Sequence, residues 1–445
     1  MSNLKRWAFV LLALSLLAAP ALFAQSVTTG TLAGSVTTRA DNAALPGVTI
    51  EAVHQPTGTQ YSTVTGADGR WIIPNARIGG PYRVTATLSG FKTVTAENVG
   101  VRVGEVTEVP PMRMDLATVS EAITVTATPD TVINPGHTGA TSTVNTQQIQ
   151  TLPTVNRALQ DFARTNPYFD VSPTSDTGTF MTVLGQNFRY NNIQIDGAVN
   201  NDLFGLASSG TPGGQTSAQP IPLDALAQLQ LVVSPYDVRQ SGFTGGGVNA
   251  VTRSGTNKLE GSVFGTKRNK SYIGKGPTNT AVPTFNQTQW GGRLGGPIVQ
   301  DKLFFFVSGE ENRKTTPLAA AADGSAGINY IGSGTGSTPS AQLVRDFVKN
   351  TYGYDPGTLG TVTFATPNNL AFARLDFNLN NSNNITLRHN YVQGTSDSAP
   401  SSYPNDRSTT RFWFPTDKYS IANTTHSTVA QVNSVFGANT YNEGR

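Results

Sequence analysis

Leu229 to Gly265 reads LQLVVSPYDVRQSGFTGGGVNAVTRSGTNKLEGSVFG, and two kinds of architecture meet within it. Leu229 to Val233 is a short apolar run of β type, closed by the breaker Ser234-Pro235-Tyr236. Gly245-Gly246-Gly247 then leads into Val248-Asn249-Ala250-Val251-Thr252, which alternates like a strand with one buried face. Three glycines in a row permit positive φ or a backbone approach that side chains would block. Taken alone, the triplet also fits an ordinary hairpin loop. Before this stretch the sequence reads as compact domains, and after it long polar loops separate isolated strands of period two.

The 445 residues allow two or three domains. Formal net charge is +3, and with Lys5 and Arg6 in a leader the mature chain sits near +1. No basic face for nucleic acid follows from so small an excess. Cysteine does not occur, which excludes disulfides and thiolate metal sites. With 45 glycines and only 13% charged residues, the composition suits turns and polar-faced β structure. Met1 to Ala24 reads as an export signal: a basic start at Lys5 and Arg6, an apolar core from Trp7 to Leu17, and a small residue at Ala24, with Leu22 bulkier than the cleavage rule prefers. The run is barely long enough for an anchor helix. No second run of its kind follows, so any span downstream must be β.

From Thr31 to about Leu116 the segments GTLAGSVT, GVTIEAV, TQYSTVTGADGRWIIPN and PYRVTATLSGFKTVTAENVGV alternate between Gly, Pro, Asn and Asp turns. That pattern predicts a small sandwich with a core of Val48, Ile50, Val53, Trp71, Ile73, Tyr82, Val84, Phe91 and Val94. Asp68-Gly69 fits a tight hairpin with Gly69 at positive φ. Gly34-Ser35-Val36, Leu45-Pro46-Gly47-Val48, TGADGRW (Thr65 to Trp71) and LSGFK (Leu88 to Lys92) together resemble the carboxypeptidase regulatory-like domain, an Ig-like sandwich.

Glu121-Ala122-Ile123-Thr124-Val125-Thr126-Ala127 lies between turn-rich segments and resembles a TonB box, the segment that outer-membrane transporters offer to the energy-coupling protein TonB. An extended, alternating segment can add itself as an edge strand to a partner sheet through backbone hydrogen bonds. By pattern alone it equally fits the last strand of the preceding sandwich. Thr128 to Ser254 resembles the plug domain of TonB-dependent transporters. Its Gln147 to Ala163 carries Ile149, Leu152, Leu159 and Phe162 at helical spacings interrupted at Pro153. Phe188 to Gly197 reads as a strand ending in an Asp-Gly turn, and Pro220 to Leu231 as a short helix running into a strand. IQIDGAVNN, with Asp196, Gly197 and Asn200, carries the resemblance. So does GGGVNAVTRSGTN, with Gly245, Gly246, Gly247, Asn249, Thr252, Arg253 and Gly255, which is similar to the Oar-like branch and implies a hinge from plug to barrel.

After Gly255, Trp290, Leu294 and Ile298 share one face opposite Gln289 and Arg293. Ala371, Ala373, Leu375, Phe377 and Leu379 lie opposite Arg374, Asp376 and Asn378. Ile385, Leu387 and Tyr391 alternate with Thr386, Arg388 and Asn390, and Ala430, Val432 and Phe436 give a weaker version. Lys302 to Glu310 adds the cluster Phe304-Phe305-Phe306, and WGGRLGGPIVQDKLFFF resembles the start of an Oar-like barrel. Strands of about ten residues with one apolar and one polar face mark a membrane barrel wall, though a soluble antiparallel sheet alternates too. The connections Asn269–Gln287, Lys314–Asn369 and Thr395–Thr425 are long, the second with a short amphipathic helix at Gln342–Tyr352; the Asn380–Asn383 turn is short.

No catalytic constellation, cofactor motif or metal site is expected. His54, His137, His389 and His426 lie apart in sequence, no phosphate-binding loop occurs, and Gly332 to Gly336 reads as a flexible loop. Asp376-x-Asn378-x-Asn380 imitates a calcium loop but has Asn381 and Leu387 where that loop needs Gly and Glu. The expectation is a mainly β protein and not an enzyme: signal peptide 1–24, Ig-like sandwich 25–117, TonB-box segment 118–127, α+β plug 128–254, and the first strands of an incomplete transmembrane β-barrel 255–445. About six strands with a seventh begun near Thr440 are too few to enclose a plug, since plugged barrels use about 22, so the chain is expected to be the N-terminal portion of a longer protein or a truncated gene product. The resemblance implies an outer-membrane receptor with its plug toward the periplasm, and as partners the TonB complex, outer-membrane lipid and an extracellular ligand, with no nucleic acid. A surface-exposed β-rich adhesion or scaffold protein is the alternative.

Overall fold

A computed structural model describes residues 27–116, 123–126, 140–154, 156–173, 179–234, 240, 242–274, 285–317, 337–360, 362–398, 414–436 and 440–445. The expected signal peptide, Glu121, Ala122, Ala127, His137 and Gly332 to Gly336 lie outside these residues.

The first unit is a two-sheet sandwich. Its strands are β1 (Gly30–Thr38), β2 (Thr49–His54), β3 (Thr59–Val64), β4 (Arg70–Ala76), β5 (Gly79–Thr87), β6 (Val94–Val101), β7 (Val106–Glu108), β8 (Met112–Met114) and β9 (Ile123–Thr126). One sheet pairs β1 with β4, β7 and β8; the other runs β3-β2-β5-β6-β9. Between them Leu32, Val36, Val48, Ile50, Trp71, Ile73, Tyr82, Val84 and Val94 are buried, and Phe91 packs at the margin. Val53 is only half-buried, contrary to expectation. Strict alternation along β2 gives the core face to Ile50, Ala52 and His54 instead. Gly69 does take φ +70°, but its turn does not join a hairpin: β3 pairs with β2 and β4 with β1, so the chain crosses there from one sheet to the other.

The central unit holds β10 (Ala140–Val144), helices α1 (Thr146–Thr151) and α2 (Leu159–Ala163), then β11 (Phe169–Pro173), β12 (Thr179–Val183), β13 (Asn192–Ile195), β14 (Ala198–Val199), β15 (Leu226–Ser234) and β16 (Gly247–Thr252). Asn145 caps α1: its side chain accepts from the Gln148 N–H at 2.9 Å, and Gln148 returns the bond to the Asn145 N–H. Ile149, Leu159 and Phe162 face the sheet core, as their spacing predicts. The sheet order is β10-β15-β16-β13-β14. The strand expected from Phe188 starts only at Asn192, after a short 3₁₀ turn at Phe188–Tyr190. β16 is buried on both faces, not one: Val248 and Ala250 enter the core, while Asn249 on the opposite face donates to the carbonyl of Val27 at 2.6 Å. The sandwich covers the face that pattern alone would leave in solvent.

The third unit is a seven-stranded antiparallel sheet in sequence order, open among the described residues: β17 (Glu260–Asn269), β18 (Asn286–Val299), β19 (Leu303–Pro317), β20 (Thr363–Asn380), β21 (Asn383–Ser398), β22 (Tyr419–Phe436) and β23 (Thr440–Gly444). Helix α3 (Ser337–Tyr352) lies between β19 and β20. The middle strands run 14 to 18 residues, longer than their apolar stretches, because register pairing continues through polar positions such as Asn312↔Asn368. Phe304, Phe306, Leu370 and Phe372 turn inward and are buried, and Phe306 and Phe372 join the core of the central unit. Trp290, Leu294, Ile298, Leu375, Phe377, Leu379, Ile385 and Leu387 point the other way and stay exposed, although they sit on paired strands. No helix among the described residues is long and apolar enough to cross a membrane, which leaves spanning by strands open.

Candidate functional site

The polar inner face of the wall meets the central unit and the sandwich along a run of charges. Asp196 begins it. Asp196 and Gly197, at φ +46° and +74°, form the two-residue turn between β13 and β14, the conformation that favours Asp-Gly. That turn sets the Asp196 carboxylate beside the end of β16, where it accepts from the Thr252 N–H and hydroxyl, both at 2.8 Å. Arg388 of β21, 1% exposed, donates to the Ile195 carbonyl at 2.6 Å and brings its Nε to 2.8 Å from Asp196, an ion pair whose angle falls short of a hydrogen bond.

Arg374 of β20 grips Asp376 with two bonds of 2.8 and 2.7 Å, donates to the Thr252 hydroxyl at 2.8 Å, and lies 3.8 Å from Asp196. Asp376 also accepts from the Thr386 hydroxyl at 2.9 Å, and the Arg77 guanidinium of the sandwich stands 3.0 Å away, again as an ion pair and not an aligned hydrogen bond. A polar cavity of about 90 Å³ lies here, lined in part by Asn75, Arg77, Asp196, Thr252, Arg374 and Asp376. The calcium-loop mimic is thus resolved: Asp376 and Asn378 lie within β20, and the carboxylate is occupied by arginines.

The central unit contributes a cation of its own, Arg157, which sits 3.0 Å from Asp224 and 3.7 Å from Glu310 of β19, and its guanidinium stacks 3.7 Å over the Phe264 ring of β17. Sequence reading passed over Arg157, Glu310 and the sandwich's Arg77. Only Glu310 offered a signal, as a charge at an inward position of a strand, since such charges need a partner; Arg77 and Arg157 lie outside the strands.

The glycine triplet does not use positive φ; only close approach explains it. A Cβ on Gly246 would lie 2.5 Å from the Val183 side chain, and one on Gly245 would meet the Asn191 amide at 2.5 Å. The triplet lies at the entry to β16, inside the central unit, whereas the crossing to the wall is made by residues 253–259. There Arg253 is tied by its N–H to Ala225 O at 2.7 Å and by Nε to Leu226 O at 2.8 Å, and burial, with Arg293 nearby, lowers its pKa to about 10. Gly255 fits directly against the backbones of Phe305 and Gly296. Asn200 closes the β13–β14 turn region through its N–H to Ile193 O at 2.8 Å. Of the segment that resembles a TonB box, Ile123, Thr124, Val125 and Thr126 form the parallel edge strand β9, in register with Val94 to Glu97 of β6. His389 and His426, distant in sequence, are neighbours on the outer face of the wall with ring centroids 5.5 Å apart; no group of three metal-ligating side chains occurs among the described residues.

Residues 31–114 match the carboxypeptidase regulatory-like domain, and residues 251–445 match an outer membrane beta barrel domain. The TonB-dependent transporter Oar of Myxococcus xanthus is 25% identical over 320 residues, which cover 67% of this chain and 28% of that protein. The chain therefore spans under a third of the length of this curated relative. Among solved structures, the outer membrane transporter YddB from Escherichia coli aligns with TM-score 0.45 and 13% identity over 67% of this chain and 37% of that one. The siderophore receptor PirA from Acinetobacter baumannii aligns with TM-score 0.43 and 15% identity over 66% and 37%. The Myxococcus relative is a transporter, not an enzyme, and lends no support to a surface scaffold. The chain is thus mainly β, carries a carboxypeptidase regulatory-like domain and, after it, an outer membrane beta barrel domain, and is similar to a TonB-dependent transporter of the Gram-negative outer membrane.

Proposed function

We propose that the whole protein is a receptor for active uptake of an extracellular ligand, coupled through TonB to the proton gradient. Residues 128–254 act as the plug, residues 255–445 contribute to the barrel, and Glu121 to Ala127 form the coupling segment, with sandwich and plug toward the periplasm. One observation carries the reading: the wall turns its apolar side outward, through Trp290, Leu375, Phe377 and Leu387, and its charged side onto a folded globular unit. A sheet built for water would do the reverse. The Asp196–Arg388 and Arg157–Glu310 pairs then seat the plug, and the tight passage from Thr252 through Arg253 to Gly255, fed by the Gly245 to Gly247 entry and Asn249 of β16, is the hinge about which it moves. Asn200, with Asp196 and Gly197, shapes the turn that presents the plug's carboxylate.

The backbone of Ile123 to Thr126 already lies at a sheet edge, the pairing mode by which an extended segment is passed to a partner strand. The test uses the full-length protein in cells. A photo-reactive residue at Val125 is expected to cross-link TonB, and deletion of Glu121 to Ala127 is expected to abolish energised uptake while outer-membrane abundance holds. Unchanged uptake after the deletion, or no cross-link from position 125, overturns the reading.

A further inference from the structure

Five buried or nearly buried charges alternate in sign across three parts of the chain: Arg77 of the sandwich, Asp376 and Arg374 of the wall, Asp196 of the central unit and Arg388 of the wall again. Successive separations are 3.0, 2.7, 3.8 and 2.8 Å. Each interior member has an opposite charge on either side, so none is neutralised by one neighbour alone. Arg77 is not a loose surface arginine. Its turn is pinned by two buried tyrosines, with the Arg77 N–H donating to the Tyr61 hydroxyl at 3.1 Å and the Tyr82 hydroxyl donating to the Arg77 carbonyl at 2.6 Å.

The sandwich is tied on both sides of this chain. Toward the wall, Asn378 donates to the Thr59 hydroxyl at 3.1 Å, and the Asn257 N–H donates to Pro56 O at 2.7 Å. Toward the central unit, Gln228 accepts from the Val103 N–H at 2.9 Å and donates to Val101 O at 3.2 Å, while Asn249 holds Val27 O. A domain on a free tether would not bury such groups at two different surfaces at once.

We infer that the N-terminal sandwich is a clasp whose docking is coupled to the seating of the plug through the chain Arg77–Asp376–Arg374–Asp196–Arg388, so that sandwich and plug are released together. The inference rests on the plug reading above. Its physical content is competition for Arg374. With Arg77 docked, Asp376 is shared between two cations and Arg374 can serve both Thr252 and Asp196. With Arg77 withdrawn, the buried Asp376 carboxylate keeps only Arg374 of the cations that pair with it among the described residues and draws it from Asp196, leaving the plug's carboxylate less compensated. Two events that bias one shared arrangement are thermodynamically linked in both directions.

The test uses the full-length protein in outer-membrane vesicles with single-cysteine reporters in a background free of other cysteines. Thr59→Cys, buried where the sandwich meets the wall, reads docking; Ser308→Cys, on the inward face of β19, reads plug seating. Adding Arg77→Ala is expected to speed maleimide labelling of both by about tenfold, within the range of ordinary allosteric coupling, and Arg77→Lys is expected to return both toward the parent rate. A rise at either reporter without the other, or at neither, overturns the clasp. Rapid labelling of Ser308→Cys in the parent protein would instead count against the plug reading itself, which the cross-link from Val125 tests separately.

Discussion

The sandwich and the wall are both antiparallel β structure with period-two alternation, yet the alternation has opposite meanings in the two. In β2 the apolar members, Ile50 and Ala52, face the core and Glu51 faces out. In the later part of β20 the apolar members, Leu375, Phe377 and Leu379, face out, and Asp376 turns in to meet Arg374 and Arg77. A sandwich removes its apolar faces from water by stacking them; the wall leaves its apolar face to a solvent that is not water, and pairs its charges on the inside. The pattern of a strand therefore states that its two sides differ, and only its surroundings state which side is inside.

This contrast is open to direct attack. The largest effect is expected in the sandwich: Trp71→Ala, at a site 4% exposed, removes a core side chain and should cost about 3–5 kcal/mol in urea unfolding of the intact protein. A loss below about 1 kcal/mol would mean that the two sheets are not stacked on it. Next comes Leu375→Arg on the outer face of the wall. Facing hydrocarbon, it should destabilise insertion by about 2–4 kcal/mol in refolding into lipid bilayers. Facing water, the same change would fall within about 0.5 kcal/mol, and that result would reverse the assignment of the face.

The smallest effect per step is electrostatic. Burial, and then the nearby Arg77, lower the His54 pKa to about 3, against about 6.5 in the unfolded chain. Below pH 6.5 the unfolded state binds a proton that the folded state refuses, so stability rises with pH through this window. Acidification from pH 6.5 toward 3 should cost up to about 1.4 kcal/mol per pH unit from this group, and His54→Gln should flatten that slope. An unchanged slope would show that His54 is not held neutral in the core.

Much of this was readable from residues. The alternation of Ala371 to Leu379 against Arg374, Asp376 and Asn378 returned as the two faces of β20, and the Asp196-Gly197 pair returned as a tight turn. The interruption at Pro153 returned as the break between α1 and α2. Other parts were hidden because they depend on chain segments far apart. Val53 was assigned by its apolarity, but the parity of β2 placed His54 in the core. Asn249 seemed to mark an exposed face until the Val27 carbonyl covered it from a distance of 222 residues. Arg77 carries no local signal, since its partner Asp376 lies two domains away.

Local stereochemistry and periodicity act over a few residues. The strand count of the wall, the Asp196-Gly197 turn, the positive φ of Gly69 and the two-faced character of the wall could therefore be read from the linear order of side chains, whereas the hairpin expected at Asp68-Gly69 could not. Which face meets lipid, which meets the central unit, and which charges neutralise one another depend on the juxtaposition of surfaces brought together by folding. Burial turns those juxtapositions into large energies, because a charge such as Asp376 is tolerable away from water only where Arg374 and Arg77 arrive to meet it.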